Sequence, residues 1–142
     1  MNQKIFNILD KNRVCGLSTI LKNGYPHAAA MHFSYAKKPF EIYIQTERTG
    51  KKTEALLRGK PGKSSIVVGL SEDDWVTLQL DGQIKVVDSK KELLKIYKVH
   101  YSKNPSAEQY KDLPDTIFLK FIPNWWRYTE FEPKMKVISS EE

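Results

Sequence analysis

The chain has 142 residues, 40% of them hydrophobic and 28% charged, with 23 Lys and Arg against 17 Asp and Glu for a net charge of +6. This length and balance fit one globular domain with its own core and exclude a disordered polymer, while the single cysteine, Cys15, excludes an intramolecular disulfide framework. The basic surplus attracts phosphates in general, which leaves nucleic acid, nucleotide cofactors and anionic surfaces as candidate partners and does not choose among them.

In chain order, Ile5, Phe6, Ile8 and Leu9 have helical spacing, and the amino terminus lacks the long apolar run and small-residue site of a signal peptide. Val14 to Leu21 suits a strand, Lys22-Asn23-Gly24 is a hairpin signal, and His27 to Tyr35 is the partner strand. After Lys37-Lys38-Pro39, Glu41 to Thr46 is a third strand and Thr53 to Arg58 a helix ended by Pro61-Gly62. Ser65 to Leu70 and Trp75 to Val87 follow as strands, the second with Val76, Leu78 and Leu80 inward and a bend or bulge at Asp81-Gly82. Ser89 with Glu92 forms a capping box for a helix through Tyr97, and Pro105 to Pro114 is a polar connection. The last strand runs from Thr116 to about Tyr128, with Ile117, Leu119 and Phe121 inward and an interruption at Pro123. Residues 1–131 are expected to form one domain and 132–142 a mobile tail. No stretch of about 18 apolar residues occurs, so no membrane span is expected and the predicted location is cytoplasmic. This strand-rich, hairpin-linked order predicts a mainly β (α+β) antiparallel barrel with peripheral helices.

The segment Tyr43 to Lys52, YIQTERTGKK, carries the clearest chemistry. Phe40, Ile42 and Ile44 anchor a strand that runs into Thr46, Thr49 and Gly50 and then into adjacent Lys51 and Lys52. Hydroxyls, a flexible turn and two cations at the start of a helix suit a dianionic phosphate, to which a helix N-terminus would add free N–H groups. The alternative for Thr46 is a cap on the strand or helix, and for the lysines solvated helix-start positions.

Other chemistries find little support. Gly59 to Ser64, GKPGKS, lacks the first glycine of a Walker loop, Leu57 standing in its place, and runs from helix to strand. His27 and His32 project to opposite faces of a strand and His100 is remote, so no metal site is predicted. There is no G-x-S-x-G elbow. A basic barrel tracking nucleic acid through Lys37, Lys38, Lys51, Lys52, Lys60 and Lys63 is disfavoured, because these lysines concentrate in turns far in sequence from the tryptophans.

Leu17-Ser18-Thr19, Asn23 to His27, Ile42 to Thr46, Gly50-Lys51-Lys52, Leu56-Leu57, Gly82 and Leu119 to Arg127, in this order and spacing, resemble the pyridoxamine 5'-phosphate oxidase-like FMN-binding split-barrel family, especially its short general stress protein members. The resemblance implies a six-stranded antiparallel split β-barrel that forms a homodimer, with flavin mononucleotide (FMN) in grooves between the subunits. It implies a phosphate site at Thr46, Thr49, Lys51 and Lys52. Gly50 stands where the family usually has a hydroxyl or small residue, and lysine at 51 acts as a point charge where a guanidinium would bind in bidentate fashion. Ala28 to Phe33 would lie along the ring system, with His32 and Phe33 as contacts, or would be a small-residue core strand. Gln79 could address a ring carbonyl, and Trp126 or Arg127 could cover the cofactor of the neighbouring subunit; Trp125 and Trp126 point to opposite faces, so one of them sits at an interface. The implied activity is electron or hydride transfer from a reduced donor to a small acceptor, with no catalytic residue evident. Oxidation of the B6 vitamer itself is disfavoured, because the arginine-and-histidine substrate motif does not follow Trp126-Arg127. A non-catalytic flavin, deazaflavin or heme binder on the same barrel is the alternative.

Overall fold

The computed structural model describes residues 2–57 and 59–141. Arg58, the last residue of the helix expected over Thr53 to Arg58, lies outside the described residues, as do Met1 and Glu142. The chain opens with α1, Gln3–Lys11, whose N-terminus is capped by the Asn2 side chain accepting from Lys4 N at 2.8 Å. Ile5, Phe6, Ile8 and Leu9 form its buried stripe. β1 (Val14–Ile20) and β2 (Pro26–His32) pair in a hairpin from Val14↔His32 to Ile20↔Pro26. Its turn uses Gly24 at φ 88°, a conformation that favours glycine. The strand expected over His27 to Tyr35 is two strands. Phe33 swings fully into the core and its N–H donates to Arg13 O at 3.3 Å, so β3 (Ser34–Lys37) leaves β1 and pairs instead with β4 (Phe40–Glu47).

β5 (Gly62–Val68), β6 (Val76–Val86) and β7 (Thr116–Glu130) complete a sheet in the order β2-β1-β5-β6-β7-β4-β3, all neighbours antiparallel. β7 pairs with β6 along nearly its whole length, with β4 through Thr116–Phe121, and with β8 (Lys136–Ser139) through Arg127–Glu130. The sheet therefore has eight strands where six were expected, and the segment read as a mobile tail from Glu132 carries β8. β6 and β7 shift register at Asp81/Gly82, where Gly82 lies opposite Pro123 and Asn124 is left without a partner. A side chain at Gly82 would collide with the Ile122 carbonyl, so only glycine lets the two strands approach there.

The sheet curls round a core of Leu17, Ile42, Ile44, Ile66, Leu78, Leu80, Leu119 and Phe121, and α1 plugs one side of it. On the outer side of β4 and β7, α2 (Lys90–Lys103) covers a second core of Tyr43, Ile96, Tyr101 and Phe118. Ser89 caps α2 by accepting from Glu92 N at 3.3 Å, one half of the predicted capping box, while the Glu92 carboxylate takes Lys120 as its partner. Lys120 Nζ fastens the same end, 2.9 Å from Glu92 and 3.5 Å from Glu41. At the other end His100 Nδ1 and Ser34 Oγ share a buried hydrogen bond of 2.8 Å, and Asn104 Nδ2 donates to Phe33 O at 3.1 Å. Among the described residues no helix is long and apolar enough to cross a membrane.

Candidate functional site

β4 delivers the chain to the turn that the sequence marks out. Ile42 and Ile44 are fully buried and fix the strand, and Thr46 follows them on the same side, opposite Ile117 and itself buried. The turn is held from within by a hydroxyl that sequence reasoning assigned only to a helix. Thr53 Oγ1 lies 2.7 Å from Gly50 O and 3.1 Å from both Glu47 O and Arg48 O, so its one proton is shared among three carbonyls. Gly50 N–H donates to Glu47 O at 3.2 Å, and Arg48 N–H to Asp115 O at 2.7 Å.

Thr49 and Lys51 stand exposed on this frame and Lys52 is half-buried. Among the described residues neither lysine has a carboxylate within 4.0 Å. The Lys52 ammonium folds back over the turn, so a Cβ built on Gly50 would lie 3.3 Å from Nζ and 3.3 Å from Glu47 O. Glycine at 50 is thus matched to the position of Lys52, and a serine there would displace the cation. The expected helix is a 3₁₀ helix of six residues, Lys51–Leu56, so the positive character of the turn comes from the lysines far more than from a helix dipole.

This 3₁₀ helix packs against β1 and β2, and Lys22 in the hairpin reaches Glu54 at 3.3 Å. The turn is therefore next to β2, whose outer edge has no strand partner. β4 is bonded to β3 only from Phe40 to Tyr43, so Ile44–Glu47 also present one open edge, and β2 and β4 touch across this split in the barrel. Unpaired strand N–H and C=O groups are ready hydrogen-bonding partners for a flat polar ligand. Ala28, Ala30 and His32 are exposed along β2. Phe33 is not: its ring belongs to the core, with the Lys103 ammonium 3.6 Å from its centroid.

Gln79 and Arg127 are cross-strand partners on the outer face of β6 and β7, and both are exposed. The same face carries a groove of about 370 Å³ lined by Gly16, Ser18, Ala28, Ser65, Gln79 and Trp125. Trp125, not Trp126, is the tryptophan of this groove, and the Arg127 guanidinium lies 5.3 Å from its ring centroid. Trp126 pairs with Leu80 and packs against the core. The cause is the bulge: strict alternation from Ile117 puts Trp126 outward, and the unpaired Asn124 reverses the faces beyond it. Asp81, bonded by Ser65 Oγ at 2.7 Å, completes the groove floor. The structure thus gathers Thr46, Thr49, Lys51 and Lys52 in one place, with His32 at the far end of the adjoining strand. Gln79 and Arg127 form a second group on the open face.

The family model described as pyridoxamine 5'-phosphate oxidase matches residues 1–130. The chain belongs to the pyridoxamine 5'-phosphate oxidase family. No curated protein sequence matches it. Solved structures share the family fold. A protein of Clostridium acetobutylicum related to general stress protein 26 superposes with TM-score 0.72 at 17% identity, over 98% of this chain and 94% of that one. A heme binding protein from Mycobacterium smegmatis gives TM-score 0.74 at 17% identity over 94% of this chain, which spans only 55% of its length. The heme storage protein HutZ from Vibrio cholerae gives TM-score 0.73 at 14% identity, over 87% and 89% of the two chains. At identities this low the superpositions establish the shared split-barrel fold alone.

Proposed function

We propose that this protein is a cytoplasmic FMN-binding oxidoreductase that works as a homodimer, passing electrons or hydride between a reduced donor and a small acceptor. The observation that carries the reading is the pair of cations at the β4 turn, Lys51 and Lys52, neither of them beside a carboxylate among the described residues. Two adjacent ammonium groups repel one another, and a dianionic phosphate relieves that repulsion. Thr49 would add a hydroxyl, and Thr53 keeps the turn in shape without touching the ligand. The open edges of β2 and β4 fit a flat heterocycle with polar groups on its rim. When bound, the flavin supplies the redox chemistry; the protein binds, orients and shields it. A second copy of the chain would cover the small-residue groove, bringing Trp125 and Arg127 over the cofactor held by its partner.

The test compares two ligands. Lys52→Ala weakens FMN about 10- to 100-fold, as expected for one charge-assisted contact, and leaves riboflavin, which has no phosphate, nearly unchanged. Equal losses for both would remove the phosphate assignment. Mass in solution at micromolar concentration tests the dimer, a monomer counting against it.

Heme is the second reading. It is favoured by the exposed imidazole of His32 on the open strand and by the structural likeness to heme-binding and heme-storage proteins. The visible spectrum of untreated protein separates the two, a flavin giving bands bleached by anaerobic reductant and a heme giving a Soret band that His32→Ala shifts.

A further inference from the structure

Beyond Tyr43, β4 has β7 on one edge and the split in the barrel on the other, so the turn at its end has a different neighbour on each side. On the β7 side is a cavity of about 570 Å³, within the roughly 300–1,000 Å³ usual for small-molecule sites, lined by Gln45, Thr46, Glu47, Tyr110, Leu113 and Asp115. Hydrogen bonds inside the chain hold its walls. Gln45 Oε1 accepts from the Tyr101 hydroxyl at 2.5 Å and Gln45 Nε2 donates to Ala107 O at 3.2 Å, which ties the 3₁₀ helix Pro105–Tyr110 to β4. Arg48 N–H donates to Asp115 O at 2.7 Å, joining the wall ahead of β7 to the turn itself. The cations are close by: a Cβ on Gly50 would lie 3.3 Å from Lys52 Nζ and 3.3 Å from the backbone oxygen of Glu47, a lining residue. Tyr110 and Leu113 leave about half their surface open, 48% and 52%. The exposed carboxylates of Glu47 and Asp115 have no cation within 4.0 Å among the described residues.

We propose that this cavity is a nucleoside site, taking the adenosine end of a flavin dinucleotide whose pyrophosphate crosses the turn at Lys51 and Lys52. The site presupposes the flavin reading of that turn and extends it: ring system on the β2 side, phosphates at the lysines, second nucleoside on the β7 side. Tyr110 offers a ring face on which a purine stacks, and Leu113 offers apolar surface to its edge. A carboxylate, which only accepts hydrogen bonds, suits the paired hydroxyls of a ribose, the part an acidic residue plays in dinucleotide sites of other folds. The pyrophosphate carries one negative charge on each phosphate, one for each lysine. Two carboxylates would repel a further anion, so the cavity is fitted to the uncharged sugar and base, and the phosphates belong outside it, at the turn.

Calorimetric titration of the full chain with FMN and with flavin adenine dinucleotide (FAD) is the test. FAD is expected to bind at least about tenfold tighter than FMN, the contribution of one stacked base. Tyr110→Ala should remove most of that advantage and leave FMN affinity unchanged. Asp115→Asn, which keeps the backbone oxygen that holds Arg48, should weaken FAD severalfold and FMN not at all. Lys52→Ala should weaken both ligands. FMN binding with no gain for FAD overturns the nucleoside site and leaves the flavin reading of the turn standing. Tyr110→Ala weakening both flavins alike, or neither, also overturns the site. Failure of the wild type to bind either flavin removes the flavin reading and the nucleoside site together. Because FMN affinity reports the integrity of the turn in every variant, a loss confined to FAD cannot come from misfolding.

Discussion

Lys120 and His100, buried between α2 and the strands it covers, have partners within the chain, whereas the lysines of the β4 turn face outward without one among the described residues. Lys120 is nearly buried between Glu41 and Glu92, and although burial works against its charge, the two carboxylates outweigh that and hold its proton more tightly than usual. Lys52 has the same side chain and no such partner. His100 likewise spends its Nδ1 on Ser34, while His32 on β2 is exposed. The difference is one of burial: a charge or imidazole shut inside the chain needs an internal partner, and one left in water does not.

The largest effect of a single substitution should come from His100. Burial, reinforced by Lys103 and His32, lowers its pKa from 6.5 to about 4, so the folded protein holds it neutral. The unfolded chain therefore binds the extra proton first as pH falls. The stability contributed is full above about 6.5 and is lost progressively down to about 4, up to about 3 kcal/mol in all. Urea midpoints of wild type and His100→Gln should differ in slope only across that window. Identical slopes would mean that His100 is not shut away from water beside Ser34 as described.

Lys120→Met should come next, costing about 2 kcal/mol in urea unfolding at neutral pH by leaving Glu41 and Glu92 to repel each other. This is below the roughly 3–5 kcal/mol of a fully buried pair, because the Glu92 side chain is 42% exposed. Lys52→Met should leave stability within about 0.5 kcal/mol, since no internal partner is lost. If the two methionine variants cost the same, the contrast between the regions fails. The smallest effect on the folded monomer is expected for Trp125→Ala, under about 1 kcal/mol, since Trp125 lies outside both cores. Sedimentation should nonetheless show weaker self-association. Association unaltered by this change would move the interface away from the groove.

Much of this was legible in the sequence, for reasons that can be named. The helical spacing of Ile5, Phe6, Ile8 and Leu9, the Asn23-Gly24 turn, the Ser89–Glu92 cap and the irregularity at Asp81-Gly82 are local signals, and each has its predicted counterpart in the structure. What escaped depends on distant partners. The break at Phe33 is set by a core that β1, β4 and α2 build together, and β8 forms because β7 outruns β4 and leaves an edge to be paired. The face of each tryptophan was out of reach for a sharper reason: one unpaired residue at 124 reverses the alternation, and no periodicity within β7 records it. At the candidate site the lysines and threonines could be read off, but the hydroxyl that shapes their turn, Thr53, resembles any other helix residue until its three carbonyl neighbours are seen.

β7 is flanked on one side by β6 and on the other first by β4 and then by β8. Freeing Leu119–Phe121 or Arg127–Glu130 from the sheet means tearing two ladders at once, while β2 and β3 peel away by releasing one. Solvent deuterium should therefore enter the backbone of β2 early and that of Phe118–Phe121 last of all. The strand that shares itself among three neighbours is the keel of the molecule, and the split where a ligand would lie is the part most easily sprung.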